Sequence, residues 1–348
     1  MRFKRFFFVL VILFFFLCSI SFSLEPRLLW KMEIKEVITD ASFANLSGDI
    51  VIAIDDRIIS LINKNGNIVN QWGPDLRKSV WCPSISADGK YIAFISCIPT
   101  ESEFYNEGYI YYFDRKGKEI WKYEACCELP WVSPDGRFVF VGVMGGLEGP
   151  SLLLDKDKKT LWKNNVGHAE DVLFSPDGNY FIVEPSCLLI DIQNKKIIRS
   201  FPAMEVTSIS ENAEYVGLIG RKEEEGLYNK EGKLILKGKF VISGDGRVVV
   251  KDSEGRIDVF KFPEMERIVS YPVKGAIRIS NDGRIIAIIG HRIVKDTPYK
   301  LFIGNTDGKA LWEGAIPQLE KANRFFLSKD GRYLAIMGKT FIYYFQIF

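Results

Sequence analysis

A serine, one variable residue, then Asp-Gly and an apolar run: this phrase recurs down the whole chain. It reads Ser86-Ala-Asp-Gly89, Ser133-Pro-Asp-Gly136, Ser175-Pro-Asp-Gly178, Ser210-Glu-Asn-Ala213, Ser243-Gly-Asp-Gly246, Ser280-Asn-Asp-Gly283 and Ser328-Lys-Asp-Gly331. An offset, degraded copy stands at Ser47-Gly48-Asp49. The third residues fall at 88, 135, 177, 212, 245, 282 and 330, so the gaps are 47, 42, 35, 33, 37 and 48 residues. Self-similarity on this scale is the period of propeller blades, each a four-stranded sheet.

The chemistry of the phrase supports that architecture. An apolar residue precedes each serine, as Ile85, Val132, Phe174, Ile209, Ile242, Ile279 or Leu327. A β-rich run follows the glycine, as in Tyr91 to Ile95 and Ile285 to Ile289. Asp-Gly between two such runs marks a hairpin, because glycine accepts the positive φ of the turn. Serine and aspartate side chains bond nearby backbone N–H groups and hold it. The repeated serine is therefore a turn residue rather than a nucleophile. A second hairpin follows in each unit, for example Tyr112 to Trp121, Leu154 to Trp162 and Ile303 to Trp312. Each unit thus holds strands a to d, with the serine phrase joining a to b and a Lys/Gly-rich turn joining c to d.

The last unit stops after strand c, Phe341 to Phe345. Near the start of the chain, Arg27-Leu-Leu-Trp30-Lys31 looks like the d strands Glu119-Ile-Trp121-Lys122 and Thr160-Leu-Trp162-Lys163. It is expected to complete the last blade and hide the edge strands. The expected fold is an all-β propeller over residues 24–348, with eight four-stranded blades closed by the N-terminal strand. Seven blades is the alternative if the first unit is not a true blade.

Arg2, Lys4 and Arg5, the apolar run Phe6 to Leu17, and Ser21-Phe22-Ser23 form a secretory signal pattern over residues 1–23. The apolar stretch is short for a full membrane span. Leu17 before Cys18 argues against lipidation. The remainder is expected outside the cytoplasm, periplasmic or secreted, and anchored to a membrane only if this segment stays. With 46 basic against 44 acidic residues the net charge is +2, so nothing points to nucleic acid. There is no Gly-x-Ser-x-Gly elbow or phosphate-binding loop, and only two histidines, which argues against a propeller peptidase with its own hydrolase domain and against P-loop nucleotide chemistry, and leaves a carbohydrate lyase or glycosidase open.

An antiparallel blade puts the a–b and c–d turns on one face and the b–c and d–a loops on the other. The long loops, such as Cys97 to Gly108 and Val143 to Pro150, all fall on the second face, where binding usually resides. Counting from each turn aspartate places Cys82, Cys97, Cys126, Cys127, Cys187, His168 and Glu184 there too. Three readings stay open. The cysteines pack loops, with one disulfide such as Cys82 to Cys97. Alternatively Cys126, Cys127, Cys187 and His168 hold a transition metal, since thiolates and imidazole suit zinc or copper. In the third, Cys126 and Cys127 form a vicinal disulfide. Trp81, Phe104, Tyr105, Trp131 and His291 lie on or near the same face and either anchor a protein or peptide partner or pack the loops.

The Ser-Pro-Asp-Gly phrases, with Gly167-His168, resemble WD-type and Tol-system periplasmic propellers. Gly117-Lys-Glu-Ile-Trp121 and Gly308-Lys-Ala-Leu-Trp312 resemble the tryptophan-docking repeats of PQQ quinoproteins, in which the Trp packs between blades. Leu236 and Val269 stand near two expected Trp positions, and Lys158 replaces the glycine before Trp162. The first resemblance implies the fold; the elaborated looped rim without a recognisable catalytic set points to a monomeric, non-catalytic scaffold that binds a protein or peptide and needs no cofactor. The second implies a quinoprotein-like redox protein, with PQQ as the cofactor and the vicinal disulfide lying against it.

Overall fold

The computed structural model describes residues 25–73, 79–98, 107–125, 128–144, 149–220, 224–253, 255–292 and 298–347. They form eight separate four-stranded sheets, each antiparallel, arranged as the blades of a propeller. Blades 1 to 7 run in sequence order over 38–72, 79–124, 128–164, 171–200, 205–237, 240–271 and 273–314. Blade 8 takes three strands from 322–346 and its outer strand from Arg27–Glu33. That strand pairs antiparallel with Phe341–Gln346, from Arg27 opposite Gln346 to Glu33 opposite Phe341. The first unit is a true blade, so the ring has eight and not seven. Two three-residue 3-10 turns are the only helical elements among the described residues.

Burial explains the strand sequences. The middle of strand b is apolar, as in Ile50–Ile54 and Tyr333–Gly338, because neighbouring blades cover both its faces. Strand d alternates or opens to solvent, as in Glu119–Glu124. The core is divided into eight clusters, each spanning two adjacent blades. Every blade is therefore held by its neighbours.

The recurring phrase makes one turn many times. The Ser86 hydroxyl donates to Asp88 Oδ1 at 2.8 Å and accepts the Tyr91 N–H at 3.1 Å. Ser133, Ser243, Ser280 and Ser328 repeat the pattern. All five are at most 1% exposed, which fits a structural serine. Ser175 departs: its hydroxyl donates to the Tyr180 carbonyl, because Asp177 instead accepts from Asn179 and from the Asn212 N–H of blade 5. In the degraded Ser210 copy, Asn212 and Ala213 carry the positive φ themselves.

The variable residue of the phrase has a role of its own. Backbone bonds link the turns from blade to blade: Lys329 N–H to Asn45 O, Leu46 N–H to Ala87 O, Ala87 N–H to Pro134 O. They resume as Glu211 to Gly244, Asp245 to Asn281 and Asn281 to Lys329. The gap falls at Pro134 and Pro176, which have no N–H to give. There the Lys329 ammonium reaches from blade 8 to the Pro176 carbonyl of blade 4 at 3.3 Å. Blades 4 and 8 are diametrically opposed, so this bond crosses the axis at the turn face. Crowding there explains Gly244, whose Cβ would meet Asn281 and stand 3.0 Å from Pro176 Cγ.

Aromatic stacks tie blades at their outer strands. Trp121 packs on Tyr112 at 4.9 Å, and the Tyr112 hydroxyl donates to Gly136 O of the next blade. Trp30 packs on Tyr344 at 4.9 Å, and the Tyr344 hydroxyl donates to Gly48 O at 2.7 Å. The closing strand thus repeats the packing of an internal d strand. Lys158 takes the left-handed conformation, φ 65°, at the place where the c–d turns of blades 1, 2, 5 and 7 have Gly66, Gly117, Gly232 and Gly308.

Candidate functional site

Strands a line the axis, and at the looped face several begin with charge. Asp171 opens strand a of blade 4, Asp171–Phe174, and lies directly opposite Glu184, which ends strand b. Glu205 opens strand a of blade 5. Asp40 sits in strand a of blade 1, Ile38–Phe43, and its Oδ1 accepts from Arg324 Nη2 of blade 8 at 2.8 Å. Asp171 acts electrostatically on both Asp40 and Cys82 of blade 2. Carboxylates from blades 1, 4 and 5 therefore converge on one mouth.

Like charges directly across a strand pair oppose each other. Glu184 shows the consequence. Burial pushes its carboxyl up to about 7, and Asp171, Glu205 and Glu170 add to the rise. The Val206 N–H, donating to Glu184 Oε1 at 2.5 Å, opposes it. A carboxyl raised in the folded state favours the protonated form. Its stabilisation is complete below the unfolded value near 4.5 and is lost as pH rises through about 7. Glu184→Gln keeps the acceptor for Val206 and removes the titration. It is expected to match the parent near pH 5 and to exceed it by about 1–2 kcal/mol at pH 8, after discounting for solvent access. Urea unfolding at the two pH values measures this; an equal offset at both would contradict it.

The cysteines occupy different surroundings. Cys187 is fully buried in the cluster between blades 4 and 5, and burial, then Glu184 and Glu205, push its thiol up to about 12. Cys82 is half-buried; burial and then the Asp40 charge push its thiol far above the ordinary value. Both therefore stay protonated at neutral pH. The Cys82 to Cys97 disulfide expected from the hairpin is absent. A bulge between Trp81 and Ser84 holds Cys82 at φ 49°, and the residue facing Cys97 is Ser79. Cys97 is buried in the cluster between blades 2 and 3, against which Trp81, Cys82 and Trp131 pack.

His168 lies 3.4 Å from Glu170 at the surface, where such a pair contributes little. Its companions in the expected metal set, Cys126 and Cys127, lie outside the described residues, as do Phe104 and Tyr105. His291 falls near the end of strand b of blade 7, with its backbone opposite Lys274; its side chain is outside the described set. Among the described residues no group of three or more His, Cys, Asp or Glu could hold a metal ion. The structure joins Glu184 to Cys187 and adds Asp40, Asp171, Glu205 and Arg324, which sequence reasoning missed. Their signal was a charge inside a strand a: Asp171 stands six residues before its turn aspartate, and so does Arg324.

No protein family model and no curated protein matches this chain. Solved structures do. The C-terminal WD40 domain of Sif2 aligns with a TM-score of 0.59 at 12% identity, covering 92% of this chain and 98% of that one. The fold is that of a WD40-type propeller. The β-propeller domain of Myceliophteria thermophila Cps50 (Swd1) aligns with a TM-score of 0.53 at 11% identity, covering 92% of this chain and 99% of that domain. At such identities the likeness carries the architecture alone.

Proposed function

We propose that this WD40-type propeller is an exported, non-catalytic binding module that takes a cationic segment of a protein or peptide at the looped mouth of its axis. One observation carries the reading: Asp40, Asp171, Glu184 and Glu205 gather at that mouth, while the opposite end of the axis is crossed by the Lys329 bond. Lysine or arginine side chains entering there gain charge-assisted hydrogen bonds from Asp171, Glu184 and Glu205, which otherwise repel one another, while Asp40 is already paired with Arg324. Strands a fix Asp40, Asp171 and Glu205 and strand b fixes Glu184, so little ordering is required of the site on binding. Of the described thiols, those of Cys82 and Cys187 are held protonated by burial and so lend little to the alternative thiol or metal chemistry.

A random-sequence peptide display selection on the full chain tests the reading. Enriched peptides are expected to be rich in Lys and Arg. The double variant Asp171→Asn with Glu205→Gln is expected to weaken them about tenfold or more, and about 0.5 M salt to do the same. Lys158→Glu on the turn face leaves binding unchanged. Neutral or acidic winners, or winners indifferent to the double variant, would overturn the proposal.

A further inference from the structure

Two arginines each reach from one axis-lining strand to the next. Arg324 of blade 8 donates through Nη2 to the Thr39 carbonyl of blade 1 at 3.1 Å. There it also meets the carboxylate of the next residue, Asp40, at 2.8 Å. Arg278 of blade 7 donates through Nε to the Phe325 carbonyl of blade 8 at 3.0 Å, but the next residue there is Phe326. Its Nη1 turns back to the Ile277 carbonyl of its own strand at 2.9 Å. These two bonds use two of the five N–H donors of a guanidinium. Among the described residues no carboxylate pairs with Arg278, and the Phe325 ring centroid lies 5.9 Å from its guanidinium carbon.

Arg278 belongs to strand a of blade 7, Val273–Ile279, two residues before the Ser280 turn. Lys274, Ala276 and Arg278 are exposed along that strand, while Val273 and Ile277 are buried. The period of two puts the exposed three on the side that faces the axis. Arg278 is thus open to solvent and still deep among the strands, and burial holds its guanidinium below the ordinary value. Burial strips hydration from a charge, and such a charge ordinarily has an anionic partner.

The approach to Arg278 selects that partner. The turn end of the axis is crossed by the Lys329 bond, so entry is from the looped mouth. Four strand residues separate Lys274 from Arg278, which places Arg278 about 13 Å deeper. Asp171 and Glu205 stand at the mouth, where they repel polyanions and attract cationic residues. A chain cannot thread an axis closed at one end, but a chain end can enter it. A C-terminal end carries one carboxylate, the group whose planar geometry a guanidinium matches.

The geometry points to Arg278 as the receptor for the C-terminal carboxylate of the partner chain, which enters the axis tail first. This rests on the mouth reading above, since Asp171 and Glu205 then hold the basic residues that precede the carboxylate. An extended chain covers that depth in about four residues, so those basic residues fall about four to six positions before the end.

Fluorescein-labelled peptides with two lysines followed by four small neutral residues, made as the free acid and as the C-terminal amide, test this by anisotropy on the full chain. The free acid is expected to bind about tenfold more tightly than the amide. Arg278→Gln is expected to lower the free acid to the level of the amide and leave the amide unchanged, a split that general damage to the fold does not give. Arg278→Lys keeps the charge without the fork and is expected to retain about a threefold preference. Equal affinity of acid and amide for the parent, or a preference that survives Arg278→Gln, would overturn the inference; absence of binding by both forms would overturn it together with the mouth reading. The double variant Asp171→Asn with Glu205→Gln separates the two, because it is expected to weaken acid and amide alike. Equal affinities that fall in this variant remove the carboxylate receptor and leave the mouth. A preference that depends on Arg278 but is indifferent to this variant supports the receptor and removes the mouth.

Discussion

Excision of Arg27–Glu33 is expected to leave a chain that aggregates and no longer unfolds in one cooperative step. The segment supplies the outer strand of blade 8 and pairs along the whole of Phe341–Gln346. Without it, Phe341-Ile342-Tyr343-Tyr344-Phe345 becomes an open edge of apolar residues, the kind of strand that templates association with another chain. The loss also reaches blade 1. Trp30 donates its indole N–H to Lys64 O at 2.9 Å, and Leu29, Trp30 and Met32 pack against the cluster between blades 8 and 1. A ring held by eight pairwise interfaces has no free end; an opened ring has two. Trp30→Ala is the graded form of the same lesion, expected to cost about 3 kcal/mol through the lost stack on Tyr344. Size-exclusion chromatography and calorimetry decide the matter. A shortened chain that stays dispersed, with a single transition at the parent midpoint, would refute the closure argument.

That closure was legible because it rests on local chemistry repeated at a fixed period. Each Ser-x-Asp-Gly turn carries its own hydrogen bonds, and the Leu-Trp-Lys of the N-terminal strand copies the d strands it joins. The variable residue of the phrase looked like a spacer. It became meaningful only once the ring brought Lys329 to Pro176, whose separation of 153 residues no local pattern encodes. The site was harder to read for the same reason. Assigning Cys82, Cys97, Cys187 and His168 to one face was a statement about strand direction, and direction does not fix proximity. Cys97 packs between blades 2 and 3, Cys187 between blades 4 and 5, and His168 meets Glu170. Asp40 and Arg324 meet from blades 1 and 8, and the Asp171 charge of blade 4 is felt at Asp40. Their crowding shows in Glu184, Asp40 and Cys82, each raised first by burial and further by Asp171.

A pair of glycines in blade 7 marks the other place where sequence reading had no purchase. Gly275 and Gly290 face each other across strands a and b of that blade. Neither has positive φ, so neither is there for a turn. Each sits where the opposing backbone passes too close for a side chain. A Cβ on Gly290 would overlap the Lys274 carbonyl oxygen and stand 2.8 Å from Gly275 Cα; one on Gly275 would overlap Ile289 O. The obstacles are main-chain atoms, which move only if the strand pair separates. Separation would displace Ile277, Ile286 and Ile288 from the cluster that joins blades 6 and 7. Gly290→Val is therefore expected to destabilise by about 3–4 kcal/mol, at the upper end for overpacking, although valine favours strands elsewhere. Gly73→Ala is the matched control: among the described residues nothing lies within 4 Å of its Cβ position, so the change is expected to be neutral or slightly stabilising. Urea midpoints at constant slope separate the two. A Gly290→Val midpoint equal to the control would mean that the strands of blade 7 relax freely. Since blade 7 precedes the blade that closes the ring, such slack would also weaken the case that the eight interfaces act together.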